Sequence, residues 1–156
     1  MEAPRLNSGV DPLNELDCWR LLATELVGRL GVIIDGRPEI FPVNFALAGE
    51  DIIIRTDHGA KSVAALSGPV AFEVDHFDDA DCSGWSVMVH GSAEVVKSRT
   101  GIPGSQNRVL KSWLEAHLPH LLRITATQIT GRRITTHTAR RRETSVPQEF
   151  APSLNS

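Results

Sequence analysis

The 156-residue sequence has no tyrosine, only two cysteines and no long apolar run. A membrane-spanning helix needs about 20 predominantly apolar residues, so no membrane contact is expected. Cys18 and Cys82 are too few for a disulfide framework and are typical of a reducing compartment. The N-terminus also lacks the basic and apolar stretches of a secretory signal. These absences predict a cytoplasmic protein.

The charge balance argues against a nucleic-acid partner. The 19 acidic residues outnumber the 16 lysines and arginines, and the arginines concentrate near the C-terminus, where they include Arg140–Arg142. A nucleic-acid-binding domain is usually basic overall and carries aromatic or groove-reading elements. The chain length and the 41% hydrophobic fraction instead predict one globular domain with its own core.

The spacing of apolar residues divides the chain into helices and strands. Helices are predicted over residues 15–27, 61–66 and 106–117. Strands are predicted over residues 30–34, 39–47, 52–56, 70–76, 85–96 and 122–136, the last one broken near Gly131. Gly28 is expected to end the first helix, and Asp35-Gly36 is a strong hairpin signal. Pro42 cannot donate to a strand ladder, so it indicates an edge or a bulge.

Six strands joined by tight turns or short helices favour a mainly β fold, an antiparallel barrel with peripheral α-helices. The domain is expected to cover residues 14–137. Residues 1–13 and 138–156 are rich in Pro, Ser and Asn or Arg and are interpreted as flexible terminal arms.

One segment has the chemistry of an anion site. A strand delivers Arg55 and Thr56, a glycine turn follows, and Lys61 and Ser62 begin the next helix. Free backbone N–H groups at a helix start, a hydroxyl and two cations favour a bound anion. The segment lacks the glycines that a nucleoside-triphosphate loop requires. The alternative is that its two cations are ordinary surface charges.

No motif identifies a metal site or a catalytic nucleophile. Asp79-x-Asp81 begins like a calcium loop, but the twelfth position holds His90 where that loop needs an acid. The cysteines have no C-x-x-C partner, and neither a G-x-S-x-G elbow nor an H-E-x-x-H helix is present. We therefore predict no metal and assign no catalytic residue.

Six segments in sequence order resemble the pyridoxamine 5′-phosphate oxidase-like flavin-binding family. They cover residues 28–32, 36–45, 54–56 followed by 59–61, 70–75, 85–91 and 129–133. The resemblance extends over about residues 14–136 and is nearest to the short branch that includes nitroimidazole-reductase-like proteins. It implies a six-stranded split β-barrel that forms a homodimer, with one FMN in each of two interfacial clefts.

The resemblance also implies which residues hold the cofactor. Carried over by position, they are Val43, Asn44, Arg55, Thr56, Lys61, Ser62, Trp85 and Ser86. The first two would offer backbone groups to the isoalloxazine edge, whose hydrogen bonds tune a flavin. Arg55 and Thr56 would meet the flavin phosphate or the ring, and Lys61 and Ser62 would meet the phosphate. The last two would line the cleft from the second subunit. Alternatively, Val43 and Trp85 are core residues and Asn44 satisfies a bulge.

Two departures argue against vitamin B6 oxidation. Ser62 stands where pyridoxamine phosphate oxidases place a second basic residue, and their C-terminal Arg/His pattern is not evident in residues 136–156. We expect instead a flavin-dependent oxidoreductase that acts on a small-molecule redox substrate. Because the cofactor performs such chemistry, the protein needs to supply only orientation, electrostatics and access. His58 is a candidate for proton delivery to the flavin edge.

Two alternatives remain open at the level of sequence. Fold does not fix function, so the chain could be a non-catalytic binder of flavin, deazaflavin or haem that serves as a carrier, sensor or scavenger. It could also be a structural homologue without a cofactor. The colour of the purified protein separates these alternatives.

Overall fold

The computed structural model describes residues 9–56, 60–80, 82–98, 102, 108–116 and 120–135, without the side chains of residues 60–62. Seven strands and three helices follow one another along the chain. In order they are β1 (Val10–Leu13), α1 (Glu15–Leu22), β2 (Val27–Ile34), β3 (Arg37–Ala48), β4 (Asp51–Arg55), α2 (Ala60–Ala65), β5 (Gly68–Asp78), β6 (Ser83–Val95), α3 (Arg108–Glu115) and β7 (Leu121–Thr135). None of the described helices is long and apolar enough to cross a membrane.

The strands form one antiparallel sheet that closes on itself. Their order is β1-β7-β4-β3-β2-β5-β6, and an additional pairing of β6 with β7 completes the ring. The mainly β class and the split-barrel architecture predicted from the sequence are therefore confirmed. Apart from α1 and the start of β2, the predicted elements match the observed ones to within two residues at each end.

Local sequence explains the first helix and the first hairpin. Asn14 caps α1, because its side-chain Oδ1 accepts a 2.8 Å hydrogen bond from the backbone N–H of Asp17. The turn between β2 and β3 places Asp35 at φ +50° and Gly36 at φ +74°. Two positive φ angles in succession are the geometry for which an Asp-Gly hairpin turn is suited.

The prediction that α1 extends to residue 27 and stops at Gly28 is wrong. The helix ends at Leu22, and Gly28 lies inside β2, where it pairs with Val43. A Cβ on Gly28 would come within 2.4 Å of Cζ of Phe72. The glycine is therefore needed for packing beneath an aromatic ring, a contact that no local pattern in the sequence indicates.

Strand β1 is the seventh strand, beyond the six expected. Val10–Leu13, assigned from composition to a flexible arm, pairs with β7 from Ile134 back to Gly131. Its partner strand is more than a hundred residues away in the sequence, so no local pattern predicts the pairing. The break expected at Gly131 is also absent, since β7 continues through it. A Cβ there would lie 2.6 Å from Sγ of Cys18, so this glycine lets α1 pack closely on the strand.

The barrel interior holds the main core, and α2 closes one end of it. Phe45 and Phe72 are almost fully buried, and their rings meet edge to face with centroids 5.1 Å apart. Val63 of α2 and Leu66 just after it belong to the same cluster. A smaller cluster lies outside the barrel, where α3 covers β3, β4 and the start of β7. The end of the barrel where β4 stops is therefore a packed rim.

Candidate functional site

A cavity of about 650 Å³ opens at this rim, between the middle of β3, the end of β4 and the end of α2. Its lining is Ile34, Phe41, Pro42, Val43, Asn44, Ile54, Arg55, Thr56, Ala65 and Leu66. We call it the β3–β4 cavity. Its size falls within the roughly 300–1,000 Å³ of typical small-molecule sites.

The cavity exists because β4 is much shorter than β3. The two strands pair from Ala48 opposite Asp51 to Asn44 opposite Arg55, where β4 ends. Strand β3 continues to Arg37 with β2 as its partner. Backbone groups of β3 that a longer β4 would have engaged therefore face the cavity. Pro42 lies in this part of the strand, which fits the edge position predicted for it.

The polar groups of the cavity gather where β4 ends. Asn44 and Arg55 are directly opposite each other, so their Cα atoms belong to one pair of neighbouring strands. Thr56 follows at once, and only 6% of its surface is exposed. Its backbone N–H donates a 3.3 Å hydrogen bond to the carbonyl oxygen of His120, which ties the end of β4 to the start of β7. Among the described lining residues, Arg55 carries the only charge.

The other wall is apolar, and sequence analysis did not assign it to the site. Ile34, Phe41, Ile54 and Leu66 contribute to the barrel core and also line the cavity. Their apolar side chains, in predicted strands and at the end of a predicted helix, are typical of a core, and a core position and a cavity wall have the same pattern in a sequence. Only the early end of β4 distinguishes them.

Four of the eight predicted cofactor-binding residues line this one cavity: Val43, Asn44, Arg55 and Thr56. Lys61 and Ser62 fall within α2, between two chain segments that line the cavity, but their side chains lie outside the described residues. His58, the candidate for proton delivery, also lies outside them.

Trp85 and Ser86 do not reach the β3–β4 cavity of their own chain. They point to opposite faces of β6: Trp85 is 8% exposed and stacks on His76 with ring centroids 6.4 Å apart, whereas Ser86 shares the outward face with Met88. The His76 ring is in turn held by Glu25, whose Oε1 is 3.1 Å from Nδ1. The assignment of both residues to a cleft of the second subunit stays a prediction.

This arrangement suits a flat, largely apolar ligand that carries an anionic group. The apolar wall can cover one side of a ring, and the open edge of β3 offers it backbone hydrogen bonds. Arg55 and the hydroxyl-bearing Thr56 lie at one end, where an anion would gain charge-assisted hydrogen bonds. The cavity's described lining contains no carboxylate or imidazole, so this part of the wall offers no side chain of the usual general acids and bases.

Comparison with known proteins agrees with this geometry. The family model described as pyridoxamine 5′-phosphate oxidase matches residues 14–133. An uncharacterized protein of Mycobacterium tuberculosis is 33% identical over 138 residues, which cover 85% of this chain and 90% of the relative.

Solved structures show the same fold. The FAD binding protein from Mycobacterium smegmatis is 33% identical with a TM-score of 0.63, over 80% of this chain and 98% of that protein. The FAD and heme binding protein from Mycobacterium smegmatis is 17% identical with a TM-score of 0.60, over 81% of this chain and 73% of that protein. At this lower identity the likeness concerns the fold alone.

Proposed function

Because this chain belongs to the pyridoxamine 5′-phosphate oxidase family, we propose that it binds a flavin nucleotide in the β3–β4 cavity and acts as a flavin-dependent oxidoreductase. The observation that carries the proposal is the meeting of four predicted cofactor residues, Val43, Asn44, Arg55 and Thr56, in one cavity. A flavin combines a flat ring with an anionic phosphate, and the cavity offers a surface to each. The substrate is a small molecule that reaches the ring from the open side.

Each part of the cavity has its own role in this proposal. Arg55, with Lys61 from α2, binds the phosphate, while the edge of β3 at Val43 and Asn44 hydrogen-bonds the ring. The apolar wall excludes water from the ring's covered face. When bound, the flavin supplies the hydride and electron transfer. The chain therefore needs to bind and orient, which agrees with the absence of carboxylate and imidazole groups among the described lining residues.

The cofactor that we propose is FMN, as the family resemblance implies. The Mycobacterium smegmatis relative at 33% identity is named for FAD binding, so the nucleotide needs a direct measurement. Chromatography and mass spectrometry of the ligand released from gently purified protein identify it. FMN supports the assignment. Release of FAD would change the assigned nucleotide but keep the assigned position of the flavin ring. Release of haem or a deazaflavin would contradict the flavin assignment.

Catalysis is tested by anaerobic mixing of the flavin-loaded protein with NADPH or another reduced coenzyme. An oxidoreductase is expected to lose its flavin absorbance on mixing and to regain it when an acceptor is added. The lining without a described acid or base is also what a carrier would have. A flavin that stays oxidised with every donor would therefore favour the carrier, sensor or scavenger over the enzyme.

We also propose that the active form is a homodimer, on account of an exposed apolar surface. Val27, Ile33 and Ile40 are 55%, 63% and 69% exposed, and Pro38 and Pro42 lie on the same side of the sheet. We call these five residues the outer apolar face. Soluble monomers rarely leave such a patch open to water, and a second copy of the chain would cover it.

Gly31 lies in the middle of the outer apolar face and supports a close approach there. A Cβ at this position would meet its nearest atoms, in Ala71, at 3.5 and 3.7 Å, which is ordinary contact distance. Nothing in the described chain therefore requires glycine inside this strand, where it costs about 0.5–1 kcal/mol relative to alanine. Glycine in a strand often marks close approach of another backbone. Pro42 belongs to both the face and the cavity, so the second copy would border the flavin.

The double variant Ile33→Lys/Ile40→Lys tests the homodimer. Two charges on the outer apolar face would have to be desolvated at the interface, so we expect a monomer, with weakened flavin binding. Sedimentation velocity at micromolar concentration measures the change. The control is Leu16→Lys on α1, a residue that is 59% exposed away from this face, and it should remain dimeric. A wild-type protein that sediments as a monomer would overturn the proposal.

A further inference from the structure

His120 lies just before β7, directly across from the end of β4. The backbone N–H of Thr56 donates a 3.3 Å hydrogen bond to the carbonyl oxygen of His120. The next pair along the two strands is Arg55 with Leu121. The antiparallel pairing of β4 with β7 therefore continues by one position, and Thr56 and His120 are opposite each other.

His120 is on the face of the sheet that lines the β3–β4 cavity. Ile54 and Leu122 are opposite each other, and both belong to the main core. Because side chains alternate along a strand, the pair of Thr56 and His120, two positions further, returns to that face. Ile54 and Thr56 both line the cavity. Directly opposite residues have Cβ atoms about 4.5–5.5 Å apart, so the imidazole begins next to the side chain of Thr56.

The imidazole of His120 is available to a ligand. His120 is partly exposed, and its ring takes part in none of the hydrogen bonds and ion pairs of the described residues. The ring of His76, by contrast, is held by Glu25 at 3.1 Å. Within the described part of the chain, His120 therefore keeps both ring nitrogens for a group in the cavity.

Positive charges on both neighbouring strands favour an anion at this place. On one side, Arg55 lines the cavity at the end of β4. On the other side, the backbone N–H of Val96 donates a 2.8 Å hydrogen bond to the carbonyl oxygen of Leu121, which brings Lys97 to the position beside His120. Lys97 is exposed and belongs to none of the ion pairs of the described residues.

The acids of the neighbouring elements are directed elsewhere. Glu94 of β6 is opposite Arg123 of β7, and Asp51 of β4 pairs with the same arginine, with 3.5 Å between Oδ2 and Nε. Arg123 is three positions from the histidine along β7, so alternation places it on the opposite face of the sheet. Glu115 of α3 pairs with Lys111. The sequences of α2 and β7 contain no acid.

We propose that His120 is a further anion-binding residue of the β3–β4 cavity, and that in its protonated form it binds the phosphate beside Thr56 and Arg55. This inference rests on the flavin site proposed above. A neutral imidazole donates one hydrogen bond, whereas a protonated one donates two and carries a charge. Imidazole is also the side chain suited to changing its charge between about pH 5 and pH 8. The contribution of His120 to phosphate affinity is therefore expected to rise as the pH falls.

Titration of the apoprotein with FMN at about pH 6 and about pH 8.5 tests this contribution. We expect His120→Gln to weaken binding about tenfold at the lower pH, where it removes a charge-assisted contact, and less than about twofold at the higher pH. The backbone bond to Thr56 is kept in this variant. The matched control is His90→Gln, which removes an exposed imidazole from β6 and should bind FMN like the wild type at both pH values. Protonation of the phosphate itself is common to all three proteins and cancels in the comparison.

Riboflavin, which has the flavin ring but no phosphate, separates the phosphate contact from an effect on the ring or the fold. Its affinity should be the same in the wild type and in His120→Gln. Weakened riboflavin binding, or an effect on FMN binding that is equal at the two pH values, would overturn the proposal.

The imidazole NMR signals of His120 in the apoprotein give a readout that needs no flavin. Inorganic phosphate added at about pH 6 should shift them and leave those of His90 in place, and the two glutamine variants assign the signals. Unchanged His120 signals would overturn the proposal. If FMN failed to bind the wild type while phosphate shifted the His120 signals, the flavin function would be contradicted and the anion site at His120 would be supported.

Discussion

Arg55→Ala is expected to weaken FMN binding by about 10- to 100-fold. The substitution removes the charge that the described wall of the β3–β4 cavity offers to the phosphate. A charge-assisted hydrogen bond contributes about 1.5–3 kcal/mol, and each 1.4 kcal/mol is tenfold in affinity. Quenching of flavin fluorescence during titration of the apoprotein measures the dissociation constant.

Arg20→Ala is the matched control for this variant. Arg20 lies on α1 and its side chain is 70% exposed. The substitution therefore removes one positive charge, as Arg55→Ala does, but at a position away from the cavity. Its FMN affinity should equal that of the wild type. Lys61→Ala should weaken binding in the same range as Arg55→Ala, because both cations are assigned to one phosphate. Unchanged affinity in both cavity variants would mean that the phosphate binds elsewhere.

Phe72→Ala is expected to have the largest effect on stability, about 3–5 kcal/mol in the free energy of unfolding. The ring of Phe72 is fully buried and meets Phe45 edge to face. It also occupies the space that a side chain at Gly28 would need. Its removal leaves a cavity behind β2 and β3, the strands that form the hairpin next to the β3–β4 cavity. Urea denaturation followed by far-UV circular dichroism measures the loss.

Phe77→Ala provides the comparison on the same strand. It deletes the same atoms, but from a ring that is 57% exposed, and surface substitutions usually stay within about 0.5 kcal/mol. If the two variants lost equal stability, the assignment of Phe72 to the core would be contradicted.

Most of the fold could be predicted from the sequence because its signals are local. The Asp35-Gly36 turn, the alternation along β3 and the Asn14 cap each involve neighbouring residues. Gly28 and Gly131 were misinterpreted because their roles depend on contacts with residues far along the chain, Phe72 in one case and Cys18 in the other. Strand β1 was missed for the same reason, since its pairing partner is β7.

The residues of the candidate site also differ in whether local sequence predicts them. Arg55 and Thr56 could be chosen from their place at the end of a strand, since charge and hydroxyl groups there suggest anion binding. The apolar wall at Ile34, Phe41 and Leu66 could not, because its pattern is that of a core. Whether such residues are core or cavity depends on how far β4 pairs with β3, and strand length is not encoded in any single residue.

A crystal structure of the protein grown with saturating FMN tests the central claim most directly. We expect electron density for the ring against the edge of β3 at Val43 and Asn44, with the phosphate at the guanidinium of Arg55. A second copy should lie over the outer apolar face beside it. A β3–β4 cavity without flavin density at saturating FMN, or flavin bound at another surface, would contradict the account.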